Sequence, residues 1–137
     1  MNPVPVVAAI IERDGRFLVG RRPAHKRHGG LWEFPGGKVD AGETVAEAAR
    51  RELDEELTLS VVEVEDRLHH VDDAGGIFAI HFHRVRVEGE PHPLEHEIIG
   101  WFTLDELGQM ALAPADAGFV EWLSNGPPSS RSGRRPR

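Results

Sequence analysis

The stretch PGGKVDAGETVAEAARRELDEELTL, residues 35 to 59, decides the fold. From Thr44 to Leu57 it contains neither glycine nor proline, and Thr44 followed three residues later by Glu47 has capping-box spacing. The pattern predicts a helix whose apolar stripe, Ala46, Ala49, Leu53 and Leu57, packs on a sheet. Just ahead, Pro35-Gly36-Gly37-Lys38 is a turn where backbone can approach a phosphate or metal closely, with a lysine beside it. Glu52, Glu55 and Glu56 stand at i, i+3 and i+4, so their carboxylates share one side of the helix and repel by a few tenths of a kcal/mol per pair. Mg²⁺, with Mn²⁺ as a substitute, would offset that repulsion, because hard cations take carboxylate and carbonyl oxygens and keep positions open for water and phosphate. Taken alone, the three glutamates read equally well as a solvated acidic face eased by Arg50 and Arg51. Glycines and a lysine within twenty residues of them favour a metal-assisted phosphoryl site.

Working outward, Val4 to Ile11 is β-branched and almost continuously apolar, the pattern of a strand buried on both faces. Asp14-Gly15 turns it into Phe17-Leu18-Val19, a hairpin signal. Arg21 to Gly30 is basic and turn-rich and reads as a loop, followed by a short extended piece, Leu31-Trp32-Glu33-Phe34. Two strands follow the helix, Val61 to Val71 and Ile77 to Val87, the second with Phe78, Ile80 and Phe82 on one face and His81 and His83 on the other. Ile98 to Phe102 is a further strand, Thr103 to Glu106 repeats the capping-box spacing, and Pro114 opens a last amphipathic helix to Leu123. Residues 1 to 124 form a single domain. Residues 125 to 137, with four arginines and no large apolar side chain, predict a disordered, solvated tail.

Composition narrows the function. The 137 residues carry 23 acidic and 16 basic side chains for a net charge of −7, or −11 over residues 1 to 124 once the tail arginines are set aside. Stable nucleic-acid binding through a field of cations is therefore not expected. No cysteine is present, which removes thiolate nucleophiles, disulfides and zinc-thiolate sites. No apolar run approaches the length of a membrane span and no charged n-region opens a signal peptide, so the expectation is a cytoplasmic protein. Eight histidines are present, yet His69-His70, His81 with His83, and His92 with His96 follow no zinc-site pattern.

Gly37, five residues, Glu43, seven residues, then Arg51-Glu52-Leu53-Asp54-Glu55-Glu56-Leu57-Thr58-Leu59 resembles the Nudix box, G-x5-E-x7-R-E-U-x-E-E-x-G-U. One position departs: Thr58 stands where the family has glycine, at a helix end where glycine would ease a left-handed cap. Val7 to Gly15, Arg21-Arg22-Pro23, Gly30 to Lys38 and Leu112 to Asp116 are similar to the MutT-like branch, closest in appearance to its CTP pyrophosphohydrolase members. The resemblance implies an α/β/α sandwich on a mixed central sheet, with the box helix on one side and the Pro114 helix on the other. It implies hydrolysis of modified or oxidised nucleoside triphosphates to a monophosphate and pyrophosphate by a metal-activated water. The metal ligands it implies are Glu52, Glu55, Glu56 and the Gly36 carbonyl, with Arg51 and Glu43 orienting the carboxylates. Glu95, six residues before Trp101, is the candidate additional ligand or base, and Glu97 its fallback. Lys38 and Arg22 are candidate phosphate contacts. Asp116 stands where the branch reads the base edge, its alternative being a first-turn aspartate satisfying helix N–H groups. Phe78, Phe82 and Trp32 are candidate stacking partners, or core.

Other readings remain in view. A diadenosine polyphosphate hydrolase of this family carries a tyrosine after the box, and this chain has none. The NADH-type array is absent too, and the chain is short for dimeric ADP-ribose enzymes. A silent nucleotide- or protein-binding module would usually lose box carboxylates, and all are present. Whether the protein is a monomer or a homodimer, the sequence leaves open.

Overall fold

A computed structural model describes residues 3–73 and 75–126. Strand β1 (Val4–Ile10) lies inside a four-stranded sheet with β5 (Gly36–Lys38), β6 (Ser60–Asp72) and β7 (Phe78–Glu88), in the order β5-β1-β7-β6. The β1–β7 pairing is parallel and the other two are antiparallel, so the sheet is mixed. A second, antiparallel sheet gathers β2 (Glu12–Arg13), β4 (Trp32–Glu33) and β8 (Ile98–Phe102) around β3 (Arg16–Arg21). Helices α1 (Val45–Leu57), α2 (Leu104–Leu107) and α3 (Pro114–Asn125) complete the fold.

The double burial expected for the first strand has a simple geometric origin. Successive side chains on a strand point to opposite faces. Val7 meets Ala48 and Ala49 of α1, while Ala9 and Ile11 meet Leu53 and Leu57. Ala8 and Ile10 pack instead with Phe82, Phe119 and Val120 on the α3 side. Two helices thus sandwich one strand, and every residue from Val7 to Ile11 is buried.

Thr44 caps α1 with a complete capping box: it accepts from the Glu47 N–H at 3.0 Å, while Glu47 accepts from the Thr44 N–H at 2.8 Å. The buried face is wider than the predicted stripe. Ala48 and Glu56 join Ala49, Leu53 and Leu57, while Ala46 is only half-buried, because the helix packs on β1, β5 and β6 together. Thr58 ends the helix in the left-handed region at φ 56°, the conformation for which the family pattern supplies glycine. Asp14 and Gly15, at φ 55° and 77°, make the predicted tight turn between β2 and β3. Helix α3 runs two residues beyond Leu123, so Asn125 is helical rather than part of the tail. The rest of that tail, 127–137, lies outside the described residues.

Candidate functional site

Helix α1 divides its three box glutamates. Glu52 and Glu56 line a cavity of about 600 Å³, with Glu56 buried, whereas Glu55 is 53% exposed and lies outside the lining. At roughly 100° per residue, Glu56 falls about 40° to one side of Glu52 and Glu55 about 60° to the other, and only one flank faces the sheet. Glu55 instead approaches Arg51 at 3.6 Å. Burial pushes the Glu56 carboxyl far above the usual carboxylate range, and hydrogen bonding to Glu52 and the negative charges of Glu52, Glu95 and Glu33 push it the same way. In the absence of a cation, Glu56 therefore keeps a proton at neutral pH.

Arg51 organises the entrance to the helix. It donates to Glu43 twice, at 2.8 and 2.9 Å, to Glu52 at 3.0 Å and to the Lys38 carbonyl at 3.0 Å. The arginine, with the Asp40 N–H as a second donor, holds the Glu43 carboxyl down at about 2. The adjoining glycines make room. The Gly36 N–H points at Glu56 Oε1 from 3.4 Å, and a Cβ at Gly37 would stand 2.4 Å from the Glu52 carboxyl carbon.

A loop brings the fourth carboxylate. The last carbonyls of α1 accept N–H groups from it: Leu57 from His92 at 2.9 Å and Glu56 from Leu94 at 3.0 Å. The next residue, Glu95, lines the cavity and adds its charge against Glu56. Glu97 is exposed and pairs with Arg21 at 3.1 Å, away from the cavity.

Asp116 also lines the cavity; it is buried, and its Oδ2 accepts the Phe34 N–H at 2.9 Å. That partner lies in the chain ahead of β5, while Asp116 itself stands in the first turn of α3. Burial raises this carboxyl to about 8, against the lowering effect of the Phe34 N–H, so it is mostly protonated at neutral pH. Phe78 lines the same space, with Lys38 Nζ 5.6 Å and the Arg27 guanidinium 5.9 Å from its ring centre. Of the other two aromatic candidates, Phe82 is fully buried in the core and Trp32 packs edge-on against Phe102, and neither lines the cavity. Arg22 does, held by both oxygens of Glu33 at 3.0 and 3.2 Å.

Sequence reasoning did not single out Glu33, His96, Lys26 or Arg27 as site residues, yet all four line the cavity. Glu33 had a usable signal: Trp32 and Phe34 flank it in a strand, so it points away from their side of the sheet. His96 had none, because a loop has no period.

The donor chemistry suits a hard divalent cation. Glu52, Glu56 and Glu95 all line the cavity, and Glu56 retains a proton that a dication would replace. Among the described residues no three His, Asp or Glu side chains already stand in an ion-holding arrangement, so binding would draw these carboxylates inward.

A NUDIX domain profile matches residues 1–123. The CTP pyrophosphohydrolase of Escherichia coli (strain K12) is 41% identical over 124 residues, 88% of this chain and 91% of that protein. An 8-oxo-dGTP diphosphatase of Haemophilus influenzae is 32% identical over 126 residues, 89% of this chain and 92% of the relative. The solution structure of the E. coli ORF135 protein superposes with a TM-score of 0.79 at 36% identity, covering 100% of this chain and 96% of that one. The MutT NUDIX hydrolase of Burkholderia pseudomallei gives 0.77 at 35% identity, covering 88% and 98%. With its box carboxylates grouped on one helix and a domain match from the first residue to the end of α3's apolar run, this chain belongs to the Nudix family.

Proposed function

We propose that the protein hydrolyses nucleoside triphosphates to a monophosphate and pyrophosphate, with Mg²⁺ as the working cation and modified or oxidised bases among its substrates. The observation that carries this reading is the mixed charge of one cavity: the carboxylates of Glu52, Glu56 and Glu95 line it together with the cations of Arg22, Lys26, Arg27 and Lys38. A triphosphate needs both, cations for its oxygens and carboxylates to gather metal beside them. The names of the relatives, CTP pyrophosphohydrolase and 8-oxo-dGTP diphosphatase, agree with it.

Glu52, Glu56 and Glu95, with the Gly36 carbonyl, would hold the cation, and Glu55 would have to swing in from the helix flank to join them. Bound there, it would supply Lewis acidity at the phosphate oxygens and a more acidic water. Arg51, fixed by Glu43, holds Glu52 in place. Lys38 and Arg22 attract the phosphates. Glu95 is the candidate further ligand or, in the alternative, the base that takes the proton of the attacking water, and displacement at the β-phosphorus releases the monophosphate. Phe78, which lines the same cavity, offers a face for the base. A neutral Asp116 carboxyl offers one donor and one acceptor, the complement of a ring nitrogen beside an amino group, as on cytosine.

Pyrophosphate release from a panel of unmodified, 8-oxo-guanine and 5-substituted cytosine triphosphates, in Mg²⁺ and separately in Mn²⁺, tests the assignment. Selective turnover is expected. Tight nucleotide binding without turnover in either metal would make the protein a binding module instead. Among the described residues no helix is long and apolar enough to cross a membrane.

A further inference from the structure

His96 is odd on energetic grounds. Its side chain is 4% exposed, and its Nδ1 is buried without a hydrogen-bond partner among the described residues. An apolar side chain would fill the space with no orphaned nitrogen, so the imidazole must owe its place to the other one. Nε2 lies 2.8 Å from Glu33 Oε2, and an ionised carboxylate only accepts, so Nε2 carries the hydrogen and donates it. Glu33 in turn receives Arg22 Nη1, at 3.0 Å on Oε1 and 3.2 Å on Oε2. The second anchor on Arg22 is the Arg27 carbonyl, 2.6 Å from its Nε. A continuous chain of hydrogen bonds therefore runs from His96 through Glu33 to an arginine in the cavity wall.

The ring itself cannot drift. It lies against the backbone of Gly20 in β3, where an added Cβ would stand 2.5 Å from Cγ. Its backbone is pinned on both sides, by the Leu94 N–H on the Glu56 carbonyl and the Glu97 N–H on the Arg21 carbonyl. Glycine at position 20 is thus explained by the need to seat a ring, since its φ falls outside the left-handed region. A side chain held this firmly restrains the Glu33 oxygen it donates to.

We propose that His96 is a positioning residue that, through Glu33, sets the guanidinium of Arg22 for the substrate's phosphates. The inference rests on the reading of Arg22 as a phosphate contact. It concerns binding rather than the chemical step, so it predicts a change in KM with little change in kcat.

Steady-state pyrophosphate release with CTP, or the best triphosphate of the panel, tests it on six variants. His96→Phe keeps a ring on Gly20 and removes the donor; KM should rise roughly tenfold with kcat within about threefold, the scale of one charge-assisted hydrogen bond. His96→Gln, whose amide reaches the place of Nε2, should stay near the parent. Gly20→Ala should raise KM as His96→Phe does, while Gly20→Ala with His96→Ala should be no worse than His96→Ala alone, because the clash disappears with the ring. Arg22→Ala separates the two readings. If it leaves KM unchanged, the phosphate role of Arg22 falls and takes this inference with it. If it raises KM while His96→Phe does not, Arg22 stands and the positioning role of His96 is overturned. A loss of melting temperature in His96→Phe at parental KM would likewise overturn it, by making the histidine structural only.

Discussion

A Cβ on Gly37 would stand 2.4 Å from the carboxyl carbon of Glu52. The glycine is therefore a spatial requirement of the glutamate, and φ at Gly37 lies outside the left-handed region. Gly37→Ala should push Glu52 aside. The displaced group is the end of a flexible side chain, so the melting temperature should change little while kcat/KM falls on the order of a hundredfold, as misplaced catalytic geometry does. Parallel calorimetry and kinetics check this; a large drop in melting temperature would mean that backbone moved instead.

Glu56 holds a proton in the metal-free protein because burial and neighbouring carboxylates penalise its charge. Glu56→Gln mimics that protonated form and should fold as well as the parent without metal. Added Mg²⁺ should stabilise the parent, by about 2.7 kcal/mol at a hundred times its Kd, and the variant much less. Thermal melts with and without Mg²⁺ read the difference, and kcat for pyrophosphate release should fall roughly a hundredfold or more.

Asp116 sets a pH dependence of stability. Its carboxyl sits at about 8 in the folded protein and near 3.9 in the unfolded chain. Below pH 4 both states are protonated. Between pH 4 and 8 the unfolded state loses its proton first, so this group's contribution to stability declines as pH rises, by up to about 1.4 kcal/mol per unit. Asp116→Asn keeps an acceptor for the Phe34 N–H and removes the titration. Its stability relative to the parent should increase from pH 4 to pH 8 and level off above, as urea melts at several pH values will show.

Thr58 occupies the left-handed region at φ 56°. Its hydroxyl bonds the Leu57 carbonyl at 2.6 Å and His92 Nδ1 at 3.2 Å, which offsets part of the strain. Thr58→Gly should still stabilise the protein by about 1 kcal/mol, because a side chain in that region costs about 1–2 kcal/mol. Urea denaturation measures the gain; a net loss would show that the His92 contact outweighs the backbone.

The parts of this molecule legible in the sequence are those with a period or a fixed local spacing. Thr44 and Glu47 mark the start of α1, and the unbroken apolar run to Ile11 marks a strand covered on both sides. The same spacing arguments blur where tertiary placement decides. Glu55 and Glu56 are adjacent in sequence, yet the sheet lies on only one flank of the helix, so one is buried and the other exposed. Phe82 and Phe78 alternate identically, but Phe82 packs with Phe119 and Val120 of α3 in the core and Phe78 lines the cavity. His96 and Glu33 are 63 residues apart and meet only because β3 pairs with both β4 and β8.

The docking of His92 and Leu94 on the last carbonyls of α1 also governs how the chain can change in length. Residues added between Glu88 and Pro91 lie upstream of the anchor and can bulge outward without moving Glu95. One residue added directly after Leu94 would displace Glu95 from the cavity, and one added between Glu95 and Glu97 would pull Glu97 off Arg21. Insertions and deletions in this stretch should therefore accumulate on its N-terminal side only, leaving the span from His92 to the start of β8 at constant length.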